Sequence, residues 1–520
     1  MFHTYFNNQQ LLLLITAFVF IAISGVFKVL DKYKWAILSL FAASLAINFF
    51  AGISDPFINM WDERFHALVA KNMLDHPFKP MLYADPVVDM KYNYWNISHI
   101  WLHKPPLFTW QIALSFKIFG VNELAVRIPS IIMVSLLVFA VYRMGKLTAS
   151  KSTGYYAALI MITSFYLVQL VSGQKDLDHN DVSFLFYVTA SLWAWIEYRY
   201  SGKNKWIYFI GLFAGAAVLC KFLTGLLVFF IWFIDLILRK DERMKPANWK
   251  ALAISILISL AVFVPWQLYI MIRFPDSASM AYGFFWKHIT VPLDGHNGGF
   301  FYHIDKLGLT YGEIVPYFII LGIYLYFVKI KEPSVKIALL LGLLLVYLFF
   351  AIAKTKMLTH VYFVCSIIFL SLASILDAAF SNLRLLIKRL IIPGIFEFCI
   401  ILLLSYGNLN IESLQAAHTR WSIVKYHIPE MLHNKAVFLK LKNTLPKNAV
   451  IFNVRGCHFI EAMFYSSLPA YNFIPDKHQY EDLLKKHRVI AIIKADSLPE
   501  YLLKDPKVII LDEVIMPGLE

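Results

Sequence analysis

Charge is scarce in this sequence. Of its 520 residues only 16% are Asp, Glu, Lys or Arg, against roughly a quarter in a soluble globular protein. Acids are scarcer than bases: 34 Asp and Glu face 48 Lys and Arg, a formal net charge of +14. In a soluble chain that excess would raise nucleic acid as a partner. Here much of it lies in short stretches between apolar runs, so the positive-inside bias of membrane proteins accounts for it and no nucleic-acid partner is expected. Cysteine is equally sparse. Cys220, Cys365, Cys399 and Cys457 are scattered, three of them in apolar runs, with neither a metal spacing nor a disulfide framework. The N-terminus shows no basic region and no cleavage site, so no removable signal peptide is expected.

What the chain has in abundance is apolar surface. It is 59% hydrophobic, with a mean hydropathy of +0.61. Several runs reach about twenty apolar residues, the length that crosses a hydrocarbon layer as a helix. The fold class expected is a polytopic α-helical membrane protein. Its aromatic fraction of 16% suits interfacial belts, and also a pocket for an isoprenoid-like tail.

Taken in order, the runs 11–30, 35–53, 124–142, 154–172, 182–198, 250–271, 313–329, 337–353, 357–378 and 390–405 read as single crossings. The run 206–238 is too long for one crossing and basic at both ends, so a hairpin is expected with Lys221 at its turn. That makes about twelve crossings by the length criterion. Lysine-rich short loops define one face as cytoplasmic. Three longer polar segments, 54–123, 173–181 and 272–312, then share the external face. Within the first, residues 62–74 read as a short amphipathic helix with Phe65, Leu68, Val69 and Met73 on one side. Residues 107–119 are apolar but too short to cross, and read as a helix at the interface.

Composition shifts near residue 406. The division expected is a membrane-embedded catalytic part over 1–405, a connector over 406–435 and a small external α/β domain over 436–520. In that last part AVIFNV (449–454), VIAIIKA (489–495) and KVIILDEV (507–514) read as strands, with helices around 476–487 and 498–504. It contains no glycine-rich phosphate loop and no metal motif.

The chemistry-bearing residues gather on the external face. Asp62 and Glu63 are adjacent, so on a helix they point about 100° apart and do not share one proton as a dyad. Acids in a first turn also suit the helix dipole without any catalytic role. Around them in sequence stand Asp176, Asp178 and Asp181, and lysines at 104, 221, 354 and 356. Lys221 falls at membrane depth, where an ionisable residue is costly and marks function or snorkels to the interface. Carboxylates with converging cations fit a reaction that deprotonates an acceptor hydroxyl and releases a phosphate. The carboxylate is the general base, and lysines stabilise the charge on the leaving group. A rival reading is a transporter or flippase of lipid-linked sugars, which favours ionisable residues near the midplane. A third is a membrane scaffold whose external domain binds a partner. His179, His288, His296 and His303 match no defined metal spacing. No cofactor is required, with His296 and Asp178 the ligands to consider were a divalent metal present.

In order along the chain, Asp62-Glu63, His103-Lys104-Pro105-Pro106-Leu107, Phe119-Gly120, Arg127-Ile128-Pro129-Ser130, Asp176-Leu177-Asp178, Lys221, Phe285-Trp286-Lys287-His288-Ile289, His296, Phe301-Tyr302 and Ala353-Lys354-Thr355-Lys356 resemble the GT-C glycosyltransferases of the protein O-mannosyltransferase type. Within that type they are similar to the bacterial lipid A aminoarabinose transferase branch. The resemblance covers roughly residues 55–375 and implies an inverting transferase in a bacterial inner membrane. Its donor would be a polyprenyl-phosphate sugar, and its acceptor a lipid or protein hydroxyl on the external face. It implies catalytic roles for Asp62, Glu63 and Asp178, with Asp62 as general base. Lys104, Lys221, Lys354 and Arg64 would hold the donor phosphate, and His103, His288, His296 and Tyr302 would line the substrate loops. Arg64 follows Glu63 directly where the family places its arginine one residue further on, and Thr355 stands at the family's glycine.

Overall fold

The computed structural model describes residues 6–174, 179–221, 223–387, 391–410, 422–495 and 497–518. The chain opens with an antiparallel pair, α1 (Asn8–Val29) and α2 (Tyr33–Gly52), and then leaves the bundle. α3 (Asp62–Asn72) and α4 (Leu107–Phe119) lie in the segment that follows. The bundle resumes with α5 (Glu123–Thr148), α6 (Lys151–Ile162), α7 (Phe165–Ser172), α8 (His179–Ser201), α9 (Lys205–Val218) and α10 (Leu227–Leu238). After the single turn α11 (Lys240–Arg243) come α12 (Pro246–Arg273) and α13 (Pro275–Thr290). The short α14 (Tyr302–Asp305) and α15 (Leu307–Tyr311) lead into α16 (Val315–Lys329) and α17 (Pro333–Ile352). The turn α18 (Thr359–Tyr362), α19 (Cys365–Leu386) and α20 (Ile391–Leu409) complete the membrane part.

Among the described residues, seven helices are long and apolar enough to cross a membrane: α1, α2, α5, α12, α17, α19 and α20. The pair α6 and α7, bent by 49°, makes an eighth if taken as one crossing. The other apolar runs counted toward twelve also form helices, which fall short of that test of length and composition. α8 has the length, but carries Asn180, Asp181, Glu197 and Arg199. α9, α10 and α16 are shorter apolar helices. The run 206–238 does break near its middle, at Leu219 to Leu226, and Lys221 sits in that break.

Close helix approach depends on small residues where lipid offers no hydrophobic drive. α5 and α6 meet at Gly145 and Gly154. A Cβ on Gly154 would lie 2.3 Å from the Tyr142 carbonyl oxygen, and one on Gly145 would lie 2.5 Å from the Gly154 Cα. One end of the bundle is held by ion pairs. Glu397 accepts from Lys28 and Arg384, each at 2.5 Å, Asp377 from Lys329 at 2.7 Å, and Glu197 from Arg143 at 2.6 Å.

The C-terminal part begins with α21 (Ser422–Thr444) and contains β1 (Ala449–Phe452), α22 (His458–Ser466), α23 (Lys477–Lys485), β2 (Val489–Ile493), α24 (Glu500–Leu503) and β3 (Ile509–Leu511). The three strands are parallel in the order β1-β2-β3, with Ala449 opposite Val489 and Ala491 opposite Ile509. β1 is buried along its whole length, which explains its unbroken apolar run, since a parallel strand covered on both faces has no polar side. This sheet does not stand apart. One hydrophobic cluster joins Phe438, Ile451, Phe459 and Ile492 to Phe65, Leu68, Tyr83, Trp101 and Phe108 of the segment after α2. Tyr83 stacks on Tyr471 at 5.1 Å and donates to the Ala470 carbonyl at 3.0 Å.

Gly154→Leu is expected to destabilise the protein by about 1–3 kcal/mol, the usual cost of overpacking against atoms that cannot move aside. Gly299→Ala, where a Cβ meets nothing within 4 Å, is expected to be near neutral. Thermal unfolding in detergent compares the two; equal melting temperatures would refute the close α5–α6 contact.

Candidate active site

α3 starts abruptly. Trp61, just before it, takes φ 57° and ψ −119°, a region that few residues with a side chain occupy. That turn delivers Asp62 and Glu63 as the first two residues of the helix, and their environments differ. Asp62 is half-buried; Glu63 is fully buried.

Both Glu63 oxygens are engaged. Arg127 donates from Nε to Oε1 at 2.8 Å and from Nη2 to Oε2 at 3.0 Å, the bidentate arrangement that guanidinium and carboxylate favour. The Asn59 backbone N–H donates to Oε2 at 2.5 Å, and His179 Nε2 lies 2.9 Å from Oε1. The remaining N–H groups of Arg127 reach the carbonyls of Gly52, Asp55 and Phe57 at 2.6–2.9 Å. All five donors of a buried guanidinium are thereby satisfied. His179 is held in turn by Ser130 Oγ, 2.9 Å from Nδ1. Burial alone would raise the Glu63 carboxyl. The charge of Arg127 and the hydrogen bonds from His179 and Arg127 outweigh it and hold the carboxyl at about 2. Gly173, at φ +69°, closes this nest, since a Cβ there would lie 2.6 Å from Glu63 Oε1.

The first turn of α8 links this brace to a cavity. His179 faces Glu63, and two residues on, Asp181 forms a buried ion pair with Lys221 in the α9–α10 break. Lys221 lines a cavity of about 790 Å³. Its wall is mostly apolar, with Phe263, Trp266, Ile270, Phe285 and Phe349 prominent. Its polar lining includes Lys104, His288, Thr355 and His360. His288 is pushed down to about 4, first by burial, against its Phe284 carbonyl partner, and further by the positive field of Lys104, Lys221 and His296. It is therefore neutral at pH 7, beside two lysines. A chain of rings runs from α3 to the same cavity. Phe65 packs on Trp95 at 5.0 Å, Trp95 stacks on His103 at 5.0 Å, His103 meets Phe284 at 5.0 Å, and Phe284 meets His288 at 4.9 Å.

The other candidates fall at varied positions. Arg64 is buried and pairs with Glu461 of α22 at 3.1 Å, so its charge faces the C-terminal part. Lys354 is exposed, and its backbone N–H bonds the Ile289 carbonyl. The His296 carbonyl accepts from the Lys356 backbone, which fastens the loop after α13 to the 353–356 segment. Lys356 itself bonds the Phe350 and Ala351 carbonyls at the end of α17. Tyr302 is half-buried beside His303, with ring centroids 5.1 Å apart. Asp178, with Lys175 and Asp176, lies outside the described residues. Among the described residues, no group of three or more His, Cys, Asp and Glu is placed to hold a metal ion.

Arg127, His179 and Asp181 are the site residues that motif reading undervalues. Arg127 does carry a signal: an arginine in an apolar run, where a charge requires a partner.

Comparison with known proteins bears on the fold and the family resemblance. The profile of the dolichyl-phosphate-mannose-protein mannosyltransferase family matches residues 103–269. The undecaprenyl phosphate-alpha-4-amino-4-deoxy-L-arabinose arabinosyl transferase of Pseudomonas aeruginosa is 28% identical over 199 residues, which are 36% of this chain and 34% of that protein. The matched region thus spans little more than a third of the length of the first curated relatives. The crystal structure of ArnT from Cupriavidus metallidurans bound to undecaprenyl phosphate superposes with a TM-score of 0.59 at 14% identity, covering 88% of this chain and 90% of that one. Archaeal oligosaccharyltransferase AglB from Archaeoglobus fulgidus superposes with a TM-score of 0.55 at 13% identity, covering 89% and 69%. The fold is that of the GT-C glycosyltransferases. Within that class the chain resembles the protein O-mannosyltransferase type, close to the aminoarabinose transferase branch.

Glu63→Gln should cost about 3–5 kcal/mol, because it strands the buried Arg127 charge. The double variant Glu63→Gln/Arg127→Met should recover much of that loss. Because the folded Glu63 pKa is depressed from 4.5 to about 2, its contribution is present above about pH 4.5 and lost as pH falls toward 2. The stability gap between wild type and Glu63→Gln should therefore narrow across that window. A gap that is absent at pH 7, or constant with pH, would contradict the brace.

Proposed function

We propose that this protein transfers a sugar from a polyprenyl-phosphate-linked donor to a hydroxyl acceptor at the external face of a bacterial inner membrane. The observation that carries the reading is the cavity in which a mostly apolar wall ends at Lys104 and Lys221. A polyprenyl phosphate needs those two surfaces together: hydrocarbon contact for the tail and fixed cations for the phosphate.

Asp62 acts as the general base. It takes the proton of the acceptor hydroxyl as that oxygen attacks the anomeric carbon. The carbon–oxygen bond to phosphate breaks, its electron pair stays with the phosphate, and configuration at the carbon inverts. Lys104 and Lys221 stabilise the charge released. Asp181, paired with Lys221 in the described state, yields part of that interaction to the incoming phosphate. Glu63, with both oxygens engaged, is a positioning residue that holds α3. Arg64, directed at Glu461, serves the same helix and not the donor. The acceptor, a lipid A-like lipid or a protein, approaches from the side of the C-terminal part. The resemblance to an aminoarabinose transferase favours a lipid.

Purified wild type and Asp62→Asn, each given a radiolabelled polyprenyl-phosphate sugar and membrane extract, test this directly. Wild type is expected to label an acceptor. Asp62→Asn should lose about 10²–10⁴-fold in rate, the usual contribution of a general base, while still binding donor. Lys221→Met should weaken donor binding. Equal transfer by wild type and Asp62→Asn would remove Asp62 from the chemistry. Donor movement across vesicles without transfer would favour the flippase reading.

A further inference from the structure

The bundle carries a second recess, at the end of α2 opposite Gly52 and therefore on the membrane face opposite the candidate active site. α1, the α1–α2 turn, the end of α5 and the start of α6 converge there. The recess has a volume of about 520 Å³. Its charged lining is Lys32, Lys34, Lys146 and Lys151 against a single acid, Asp31. Its aromatic lining is Phe27, Tyr33 and Trp35.

The recess has an internal framework. Tyr33 and Ser152 hydroxyls lie 2.8 Å apart and tie α2 to α6. The Lys151 ammonium sits 5.8 Å from the Tyr33 ring centroid, and that of Lys34 sits 5.7 Å from the Trp35 ring. Lys28 approaches Tyr33 at 5.6 Å, but its charge is met by Glu397, which also takes Arg384. Among the described residues, the net charge of this lining is thus that of the four lysines less Asp31. No charge in the proposed chemistry uses it.

We propose that this recess binds the phosphate headgroup of an anionic phospholipid from the cytoplasmic leaflet. Two features favour a lipid over a free anion. The recess lies where membrane-crossing helices end, the level at which basic side chains meet lipid phosphates. The lining residue Trp35 is exposed, and so are Val26, Leu30 and Leu38, each within four positions of a lining residue; such apolar side chains offer acyl chains a surface and offer a soluble anion nothing. Exposed tryptophan at this level is also the residue type that favours the headgroup region.

Thermal unfolding of the purified full-length protein tests the assignment, with phosphatidylglycerol, phosphatidylcholine or inorganic phosphate added separately. Phosphatidylglycerol is expected to raise the melting temperature of wild type, and the other two to raise it by less than half as much. The variant Lys32→Gln/Lys34→Gln/Lys146→Gln/Lys151→Gln should lose at least half of the phosphatidylglycerol shift. Lys151→Gln alone, an exposed change that leaves the fold undisturbed, should lose a smaller part. Lys485→Gln, in the C-terminal part, should keep it all. A shift retained by both recess variants, or matched by phosphatidylcholine, would overturn the site. A shift matched by inorganic phosphate would overturn the lipid as its ligand.

Discussion

The buried ion pair between Glu63 and Arg127 is the constraint on which the rest of this structure depends. Neither charge has water to solvate it, so each is tolerable only because the other is there with full hydrogen bonding. The pair therefore fixes three things together. It pins the first turn of α3 to the start of α5. Through the Gly52, Asp55 and Phe57 carbonyls it orders the chain between α2 and α3. Through His179 it sets the first turn of α8, and two residues later Asp181 meets Lys221 at the cavity. The half-buried Asp62 inherits its place from this brace.

A second anchor comes from the other end of the sequence. Arg64, one residue past the brace, reaches Glu461, whose other oxygen lies 2.6 Å from His458 Nδ1. Lys71 at the far end of α3 donates to the Phe464 carbonyl at 2.5 Å, and the Tyr465 hydroxyl accepts from the Ile58 backbone at 3.0 Å. α3 is therefore held by the bundle on one side and by α22 on the other. The shared hydrophobic core makes the C-terminal sheet part of the platform under the site. An acceptor that displaced the sheet would also disturb α3.

Local patterns were legible in the sequence, and long-range pairings were not. The spacing of Phe65, Leu68, Val69 and Met73 marks α3, and all four are buried. Three short β-branched runs mark β1, β2 and β3, and the two basic flanks of 206–238 mark a break that does hold Lys221. The partners of Glu63 and Arg64 could not be read. Arg127 lies 64 positions from Glu63, and Glu461 lies 397 positions from Arg64, so no helical or strand period relates them. Breaks within the apolar runs were likewise hidden. Hydropathy registers apolar length but not the 49° bend between α6 and α7, nor the shortness of α9 and α10. Adjacent acids look alike in sequence. Their division into a buried carboxylate and a half-buried one comes from the turn at Trp61.

The central claim is that Lys104 and Lys221 hold a lipid phosphate at the end of an apolar cavity that this brace aligns with Asp62. An experimental structure with a polyprenyl phosphate bound tests it most directly. The account predicts the phosphate within hydrogen-bonding distance of both ammonium groups, with the first isoprene units against Phe263, Trp266 and Phe285. A phosphate held elsewhere, with Lys221 still closed on Asp181, would contradict it.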